Sequence, residues 1–349
     1  MTHKVKIGDR LVGEGEPVFI VAEAGSNHDH NLRQAKKLID VAANASVDAV
    51  KFQTFSADKI VAKVAPKAGY MKKVSEKESV HEIFKRIELP REWHPELAKH
   101  AKRRGLIFLS SPFDEEAVDF LDGLGVPAFK VASGELTNLP FIEYIAKKGK
   151  PMIVSTGAAT MAEIKEAIST IKRAGNDKIV LLQCTANYPA AEEDANLLAI
   201  NTLRQKFRLP VGYSDHTLGI AAPLAAVVLG AVMIEKHFTL SKKLLGPDHF
   251  YALEPSELKA MVDGIRAVEK LLGSPIKRPA KAEEEIRRLA RRSIFAKVDI
   301  PAGAAITKEM LTILRPAIGL EPKYIEGVIG RKAKVGIMQY EVITWDKVT

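Results

Sequence analysis

The sequence has little cysteine and few aromatic residues. Cys184 is the single cysteine in 349 residues, which excludes internal disulfides and cysteine-rich metal centres and is typical of a reducing compartment. Aromatic residues make up 6% of the chain, and no basic segment interleaved with aromatics appears. Nucleic acid is therefore not expected as a partner.

Long hydrophobic runs are also missing. The most apolar stretch, Gly219 to Ile234, is interrupted by Pro223 and is shorter than the roughly 20 residues that a membrane-spanning helix needs. The first ten residues are polar and lack the apolar centre of a signal peptide. We expect a cytoplasmic protein that does not bind membranes.

The charge is unbalanced, with 52 Lys+Arg against 43 Asp+Glu and a net charge of +9. A surplus of this size is compatible with nucleic acid, a membrane surface or a small anionic substrate, and composition alone does not choose among them. The hydrophobic fraction of 46% and the charged fraction of 27% are those of an ordinary folded domain with a sizeable core.

Short β-branched runs alternate with amphipathic helical stretches from Val18 to Gly273. Strands that alternate with helices pair in parallel, and eight such units predict an α/β fold of the (β/α)₈ TIM-barrel type rather than a doubly wound sheet. A long excursion between Ser56 and Pro90 and a second one between Thr239 and Pro255 are placed where loops cover an active site.

The composition and the spacing of apolar residues change after the predicted barrel. Residues 1–275 form the predicted barrel domain, 276–292 a charged linker, and 293–349 a small β-rich domain with Pro/Gly turns. A domain of that size is marginally stable alone, so we expect it to pack on another surface.

Polar residues gather at the predicted carboxyl ends of the strands, where barrel enzymes place their chemistry. They are Glu23, Lys51, Gln53, Ser110, Ser111, Lys130, Ser133, Glu135, Ser155, Thr156, Thr185, Asn187, Tyr188, Ser214, His216, Glu235 and His237.

Lys51 and Lys130 are charged residues within strands that a barrel buries, so each needs an anion. Two lysines beside several hydroxyls favour a cradle for phosphate or carboxylate. The alternative is an internal salt bridge to Glu23 or Glu235.

His216 and His237 end adjacent strands. Two imidazoles at equivalent depth favour a shared divalent ion, such as Mn²⁺, Mg²⁺ or Zn²⁺, that acts as a Lewis acid on a carbonyl. The alternative is a pair of hydrogen-bonded core histidines. Cys184 is interpreted as a small buried apolar residue and not as a nucleophile.

Ten segments resemble, in order, the sialic acid synthase family, and the tail segments ILRPAIGL and VIGRKAKVG resemble its antifreeze-like (SAF, β-clip) domain. The ten are FIVAEAGSNHDHN, DAVKFQTF, APKAGY, FLSSPFD, FKVASGELTNLP, PMIVSTGAATM, LLQCTANYP, VGYSDHTLGI, EKHFTL and GPDHFYALEP. That family condenses phosphoenolpyruvate with an N-acetylhexosamine to form a nonulosonic acid.

The resemblance implies a mechanism. C3 of phosphoenolpyruvate attacks the aldehyde of open-chain N-acetylmannosamine, water adds at C2, and phosphate leaves with C–O cleavage. His216 and His237 would hold a divalent metal, with Mn²⁺ the first candidate. Glu23 would transfer a proton or stabilise the cation that forms at C2.

The resemblance also implies binding residues. Those for phosphoenolpyruvate are Lys51, Ser110, Lys130, Ser133, Ser155 and Ser214, and those for the sugar are Gln53, Glu135, Tyr188, Asp248 and Arg315. Arg315 comes from the partner subunit of a domain-swapped homodimer.

The sequence departs from the family pattern at Met71, Ala186 and Ala317, none of which is among the expected metal ligands or phosphate-binding residues. We expect N-acetylmannosamine as the acceptor. The alternatives are the acceptor for legionaminate, for pseudaminate, or a 6-phosphorylated N-acetylmannosamine that Lys63, Lys67, Lys72 and Lys73 could contact. Ice or carbohydrate binding by the tail alone is disfavoured, because its surface carries many cations rather than a flat apolar face.

Overall fold

The structure is a computed structural model that describes residues 4–67, 75 and 77–349. Met71, Lys72 and Lys73, which carried expectations about the sugar side, lie outside the described residues. The chain divides into two compact units, Met1–Gly273 and Ser274–Thr349, which are described separately.

The strands of the first unit are a hairpin followed by eight parallel strands. In chain order they are β1 (Val5–Ile7), β2 (Arg10–Val12), β3 (Phe19–Gly25), β4 (Ala49–Thr54), β5 (Ile107–Pro112), β6 (Phe129–Val131), β7 (Met152–Ser155), β8 (Ile179–Cys184), β9 (Val211–Asp215) and β10 (Met233–His237).

The eight parallel strands form one sheet in the order β5-β4-β3-β10-β9-β8-β7-β6. Its two outermost strands, β5 and β6, pack against each other, so the sheet curls into a barrel. Strands β3 and β10, far apart in the sequence, pair from Phe19↔Met233 to Glu23↔His237. The predicted (β/α)₈ barrel is confirmed.

Helices surround the sheet. They are α1 (Leu32–Ala45), α2 (Ala57–Ile60), α3 (Val80–Arg86), α4 (His94–Arg103), α5 (Glu115–Leu124), α6 (Leu139–Ala146), α7 (Met161–Arg173), α8 (Ala199–Phe207), α9 (Ala221–Val228) and α10 (Pro255–Leu272).

Helix α1 illustrates why these segments are helical. The side chain of Asn31 caps it by accepting from the Gln34 backbone N–H at 3.0 Å. Leu38, Ile39 and Ala42 follow at helical spacing and are fully buried, so they form the apolar stripe that packs on the sheet.

The N-terminal hairpin was not predicted, because its two strands are too short to show a clear alternation. Val5, Ile7 and Val12 are buried in one apolar cluster with Phe19 of β3 and Met233 of β10. Since these two residues begin their strands, the hairpin covers the amino-terminal end of the barrel.

The second unit is small and rich in extended structure, as predicted. It contains α11 (Glu284–Ala290), the antiparallel strands β11 (Ser293–Ala296) and β12 (Leu311–Leu314), and α12 (Ile325–Val328). Its own core includes Ile294, Ile306 and Ile337. Helix α11 lies in the predicted linker and buries no residue.

None of the helices in the described residues is long and apolar enough to cross a membrane. The expected cytoplasmic location remains a prediction.

Candidate active site

The carboxyl ends of four neighbouring strands bring predicted site residues together. Glu23 of β3 is in register with His237 of β10 on one side and with Lys51 of β4 on the other. Glu235 of β10 is in register with Ser214 of β9. Side chains two apart on a strand share a face, so acidic, basic and imidazole groups converge inside the barrel.

Four charged side chains form a buried cluster there. Lys51 Nζ lies 2.7 Å from Glu23 Oε2 and 3.7 Å from Glu235 Oε2, and Lys130 Nζ lies 3.6 Å from Glu235 Oε1. The lysines are therefore compensated by internal carboxylates, the alternative that the sequence left open. The cluster brings two ammonium groups together with two carboxyl groups.

The two carboxyl groups of this cluster differ in acidity. Burial raises the pKa of Glu23 above its ordinary value, although Lys51 acts against this effect. Burial would also raise the pKa of Glu235, but Lys130 and Lys51 outweigh it and hold that pKa below the ordinary value. Glu23 is therefore the carboxyl that keeps a proton more readily, while Glu235 stays ionised.

Hydroxyl groups surround the lysines. Lys130 Nζ donates to Ser155 Oγ at 2.7 Å, and Lys51 Nζ donates to Ser111 Oγ at 3.2 Å. Ser214 Oγ donates to Glu235 Oε1 at 2.9 Å. A ligand with phosphate and carboxylate oxygens would meet both ammonium groups and these hydroxyls together.

Ser110 does not belong to this group. Its Oγ lies 2.7 Å from Thr54 Oγ1, which in turn contacts His94 of helix α4, so it faces the helices rather than the barrel interior. Strand alternation places Ser111 on the inner face instead. Ser111 is therefore the serine of this strand end that contacts Lys51, and the phosphoenolpyruvate-binding role expected for Ser110 stays a prediction.

The rings of His216 and His237 lie 5.5 Å apart between centroids. His216 Nδ1 lies 2.8 Å from the Thr185 carbonyl oxygen. His237 Nδ1 lies 3.4 Å from Tyr251 Oη and 3.6 Å from Asp248 Oδ2. Both Nδ1 atoms are thus occupied by protein groups, and within the described part of the chain neither Nε2 makes a hydrogen bond.

This arrangement fits a metal ion held by two Nε2 atoms, because metal-bound histidines characteristically donate their other ring N–H to a carbonyl or carboxylate. Burial lowers the pKa of His237 well below its ordinary value, which keeps the imidazole neutral, as a ligand must be. The described residues contain no cluster of three or more His, Cys, Asp or Glu side chains suited to a metal. The remaining ligands would have to be water and substrate oxygens.

Cys184 has a more polar environment than its sequence context indicated. Its Sγ lies 3.7 Å from His216 Nδ1 and 3.5 Å from Ser133 Oγ. Burial favours the neutral thiol, but the imidazole outweighs it and lowers the pKa of Cys184. The same contact raises the pKa of His216 against the effect of burial. Cys184 is buried, as the sequence predicted, but it also has polar contacts that the sequence did not indicate.

A cavity of about 250 Å³ lies beside the histidines. The predicted sugar-side residues Gln53, Tyr188 and Asp248 line it, together with Ser133. Gln53 Nε2 also donates to Glu23 Oε1 at 2.9 Å, which connects the cavity to the charged cluster.

One wall of this cavity is apolar. It is formed by Ile60, Phe84, Ile87 and Phe113. No lysine or arginine of the described residues lines the cavity. The wall therefore suits a ligand end that carries methyl groups rather than negative charge.

Two predicted sugar-binding residues, Glu135 and Arg315, are not among the residues that line this cavity. Glu135 is half-buried in the turn after β6, where its Oε2 accepts from Asn138 Nδ2 at 3.1 Å. Arg315 belongs to the second unit, follows β12 and is exposed.

A loop positions Asp248. His249 is fully buried, with Nδ1 2.6 Å from Thr239 Oγ1 and Nε2 2.9 Å from Asp29 Oδ1. Asp248 Oδ2 accepts from Ser26 Oγ at 3.1 Å. No role for His249 followed from the sequence, although its place in the GPDH segment was a usable signal.

Gly25 allows these groups to approach one another. It has a φ of +50°, and a Cβ there would lie 3.2 Å from Asp248 Oδ2 and 3.3 Å from Glu23 Oε1. Glycine adopts this left-handed conformation without steric cost. The two carboxyl groups can therefore converge at the end of β3.

Glu235 belonged to the polar residues expected at the strand ends but received no catalytic or binding role from the sequence. In the structure it contacts both lysines and Ser214. Its position two residues before His237 on one strand was the signal that could have identified it.

The fold and the site define a (β/α)₈-barrel protein with a buried charged cluster next to a histidine pair. The NeuB family model matches residues 38–277, and the SAF domain model matches residues 291–349. The chain therefore belongs to the NeuB family, the sialic acid synthase family that its motifs indicated, and it carries a C-terminal SAF domain.

Individual relatives cover almost the whole chain. The N,N'-diacetyllegionaminic acid synthase of Legionella pneumophila is 44% identical over 96% of this chain and 96% of its own. The human N-acetylneuraminate-9-phosphate synthase is 38% identical over 96% of this chain and 93% of its own. The structure of the N-acetylneuraminic acid synthetase of Leptospira borgpetersenii serovar Hardjo-bovis matches with a TM-score of 0.73 and 35% identity, covering 82% of this chain and 95% of that one.

Proposed function

We propose that this chain condenses phosphoenolpyruvate with the open-chain aldehyde of an N-acetylated hexose, giving a nonulosonate and inorganic phosphate. A bond forms between C3 of phosphoenolpyruvate and the aldehyde carbon. Water adds at C2, and the C2–O bond to phosphate breaks. One arrangement supports this reaction most directly: two buried lysines with serine hydroxyls stand at the same strand ends as the histidine pair.

Two lysines and three serines of this chain are the proposed binding residues for phosphoenolpyruvate. Lys51 and Lys130, with Ser111, Ser155 and Ser214 beside them, would hold the phosphate and carboxylate of phosphoenolpyruvate. These groups displace or share the contacts that the lysines make with Glu23 and Glu235.

Glu23 and Glu235 have different roles in this proposal. The raised pKa of Glu23 suits it to give a proton to the oxygen of the aldehyde as the carbon–carbon bond forms. Glu235 stays ionised and balances the cation that develops at C2. A divalent ion, with Mn²⁺ the first candidate and Mg²⁺ an alternative, would polarise the aldehyde when bound at Nε2 of His216 and His237.

For the acceptor, we favour the doubly N-acetylated hexose that leads to an N,N'-diacetyllegionaminate product. Two observations support this choice over N-acetylmannosamine or its 6-phosphate. Identity is higher to the legionaminic acid synthase of Legionella, at 44%, than to the human 9-phosphate synthase, at 38%. The apolar wall of Ile60, Phe84, Ile87 and Phe113 offers methyl contacts, and among the described residues no lysine or arginine lines the cavity.

We also propose a domain-swapped homodimer. Arg315 is exposed in the second unit, and Ile276, Ile286 and Leu289, on the segment that precedes β11, are 69%, 57% and 46% exposed. Exposed apolar residues concentrated in one segment favour contact with another surface. A second copy of the chain would supply that surface and receive Arg315 at its sugar side.

The test is an assay of phosphate release and product mass with phosphoenolpyruvate, Mn²⁺ and each of the three acceptors separately. We expect the highest kcat/KM with the doubly N-acetylated hexose. A higher kcat/KM with N-acetylmannosamine or its 6-phosphate would overturn the acceptor assignment alone. No product with any acceptor would overturn the proposed reaction.

A further inference from the structure

The two histidine-bearing strands are tied together on the face that turns away from the reaction. Ser214, His216, Glu235 and His237 point into the barrel, so the alternation of β9 and β10 directs Asp215 and Lys236 outward, toward the helices. Asp215 and Lys236 are in register with each other. Their side chains are 0% and 1% exposed.

Asp215 and Lys236 form a compact polar network. Lys236 Nζ lies 2.5 Å from Asp215 Oδ2 and donates to the Thr217 carbonyl oxygen at 2.5 Å. Asp215 Oδ1 accepts from the Thr217 backbone N–H at 2.8 Å and from Tyr213 Oη at 3.1 Å. The carboxylate and the ammonium group are therefore both satisfied in a place that water does not reach.

The geometry of this network brackets His216. The residue before it, Asp215, and the residue after it, Thr217, are both bonded to Lys236, which directly precedes His237. Backbone displacement of either strand end would break at least one buried contact. The network therefore restrains the two backbone segments that carry the imidazoles.

We propose that Asp215 and Lys236 are positioning residues that preorganise the His216–His237 pair for a divalent metal ion. The inference rests on the metal site of the proposed function. Neither residue touches substrate or metal. They act because a two-histidine site has few ligands, and its affinity depends on holding both Nε2 atoms at a fixed distance before the ion arrives.

An ordinary structural ion pair would stabilise the fold without affecting the metal. The chain offers a matched control for that alternative. Arg266 Nη2 pairs with Asp48 Oδ2 at 3.1 Å, and the Asp48 side chain is 5% exposed. Asp48 directly precedes β4 and thus lies at the amino-terminal end of the strands. That pair is comparably buried on the acidic side but remote from the histidines.

The experiment measures Mn²⁺ binding to the full chain by water-proton relaxation enhancement, with neither phosphoenolpyruvate nor sugar present. Lys236→Met should bind Mn²⁺ about tenfold more weakly or worse, while Arg266→Met should stay within about twofold of the native protein. Thermal unfolding is recorded for both variants. Native-like Mn²⁺ affinity in folded Lys236→Met, or an equal loss in Arg266→Met, would overturn the proposal.

Lys236→Met leaves the Asp215 carboxylate buried without its cation, and this variant could fail to fold. A second, milder variant therefore tests the same network. Tyr213→Phe removes one hydrogen bond to Asp215 and little else, and it should weaken Mn²⁺ binding about threefold. If Lys236→Met does not fold, unchanged Mn²⁺ affinity in Tyr213→Phe would overturn the proposal.

The histidine variants distinguish this inference from the proposed function. If His216→Ala and His237→Ala bind Mn²⁺ as tightly as the native protein, the metal site itself is wrong. If they lose binding while folded Lys236→Met keeps it, only the positioning role is wrong.

Discussion

Lys51 and Glu23 form a buried ion pair across adjacent strands, with 2.7 Å between Nζ and Oε2. The lysine side chain is 4% exposed and that of the glutamate 1%. Because a second carboxylate, Glu235, lies 3.7 Å from the same ammonium group, Lys51 compensates two acids at once. Its removal should therefore affect both stability and ligand binding.

We predict that Lys51→Met lowers kcat/KM for phosphoenolpyruvate about 100-fold or more, because the proposed charge-assisted contact to that ligand is lost. It should also lower the free energy of unfolding by about 3–5 kcal/mol, since breaking a buried pair leaves an uncompensated charge. Steady-state kinetics and urea denaturation measure the two effects. Lys63→Met, at an exposed position, is the control. Native kinetics in folded Lys51→Met would contradict the binding role.

The strand and helix pattern was predictable because β-branched runs and helical periodicity are local properties of the chain. The convergence of Glu23, Lys51, His216 and His237 was predictable for a related reason: every strand of a parallel barrel ends on the same face. Other features depend on details that are not local. Ser111 rather than Ser110 faces inward, because only the register with β4 fixes the phase of alternation.

Contacts between distant residues were the least visible in the sequence. The Cys184–His216 contact spans 32 positions, and the Asp215–Lys236 bridge spans 21. An isolated cysteine, or a charged residue beside a histidine, carries no local signal of its partner. The N-terminal hairpin escaped prediction because each strand has only three residues.

The pH dependence of kcat should identify the role of Glu23. If it gives a proton to the aldehyde oxygen, kcat falls as pH rises, because the carboxyl with the raised pKa becomes ionised. Glu23→Gln should lower kcat about 100-fold or more and remove this alkaline limb. A native kcat that instead falls as pH decreases would assign cation stabilisation by the carboxylate.

Metal removal should abolish turnover. We expect dialysis of the protein against a chelator to stop phosphate release, and added Mn²⁺ to restore it. His216→Ala and His237→Ala should remain folded by circular dichroism but stay inactive with Mn²⁺, because the proposed metal site has these two Nε2 atoms as its protein ligands. Full activity of the chelator-treated native protein would rule out a metal requirement.

The proposed sugar-binding role of Arg315 can be tested with a single variant. Arg315→Ala should raise KM for the acceptor more than KM for phosphoenolpyruvate, because Arg315 is assigned to the sugar. An equal increase in both values would contradict that assignment. The larger question is whether Arg315 serves its own barrel or that of the partner.

Mixing the Glu23→Gln and Arg315→Ala proteins shows whether Arg315 serves its own barrel or that of the partner. In a swapped dimer of the two variants, one site combines both defects, while the other combines an intact Glu23 with an intact Arg315. Random exchange after mild denaturation and refolding should therefore recover about one quarter of native activity, although each variant alone is nearly inactive under subsaturating acceptor. Light scattering confirms the dimer, and each variant refolded alone is the control. A mixture no more active than the average of its parts would show that the second unit does not complete the partner's site.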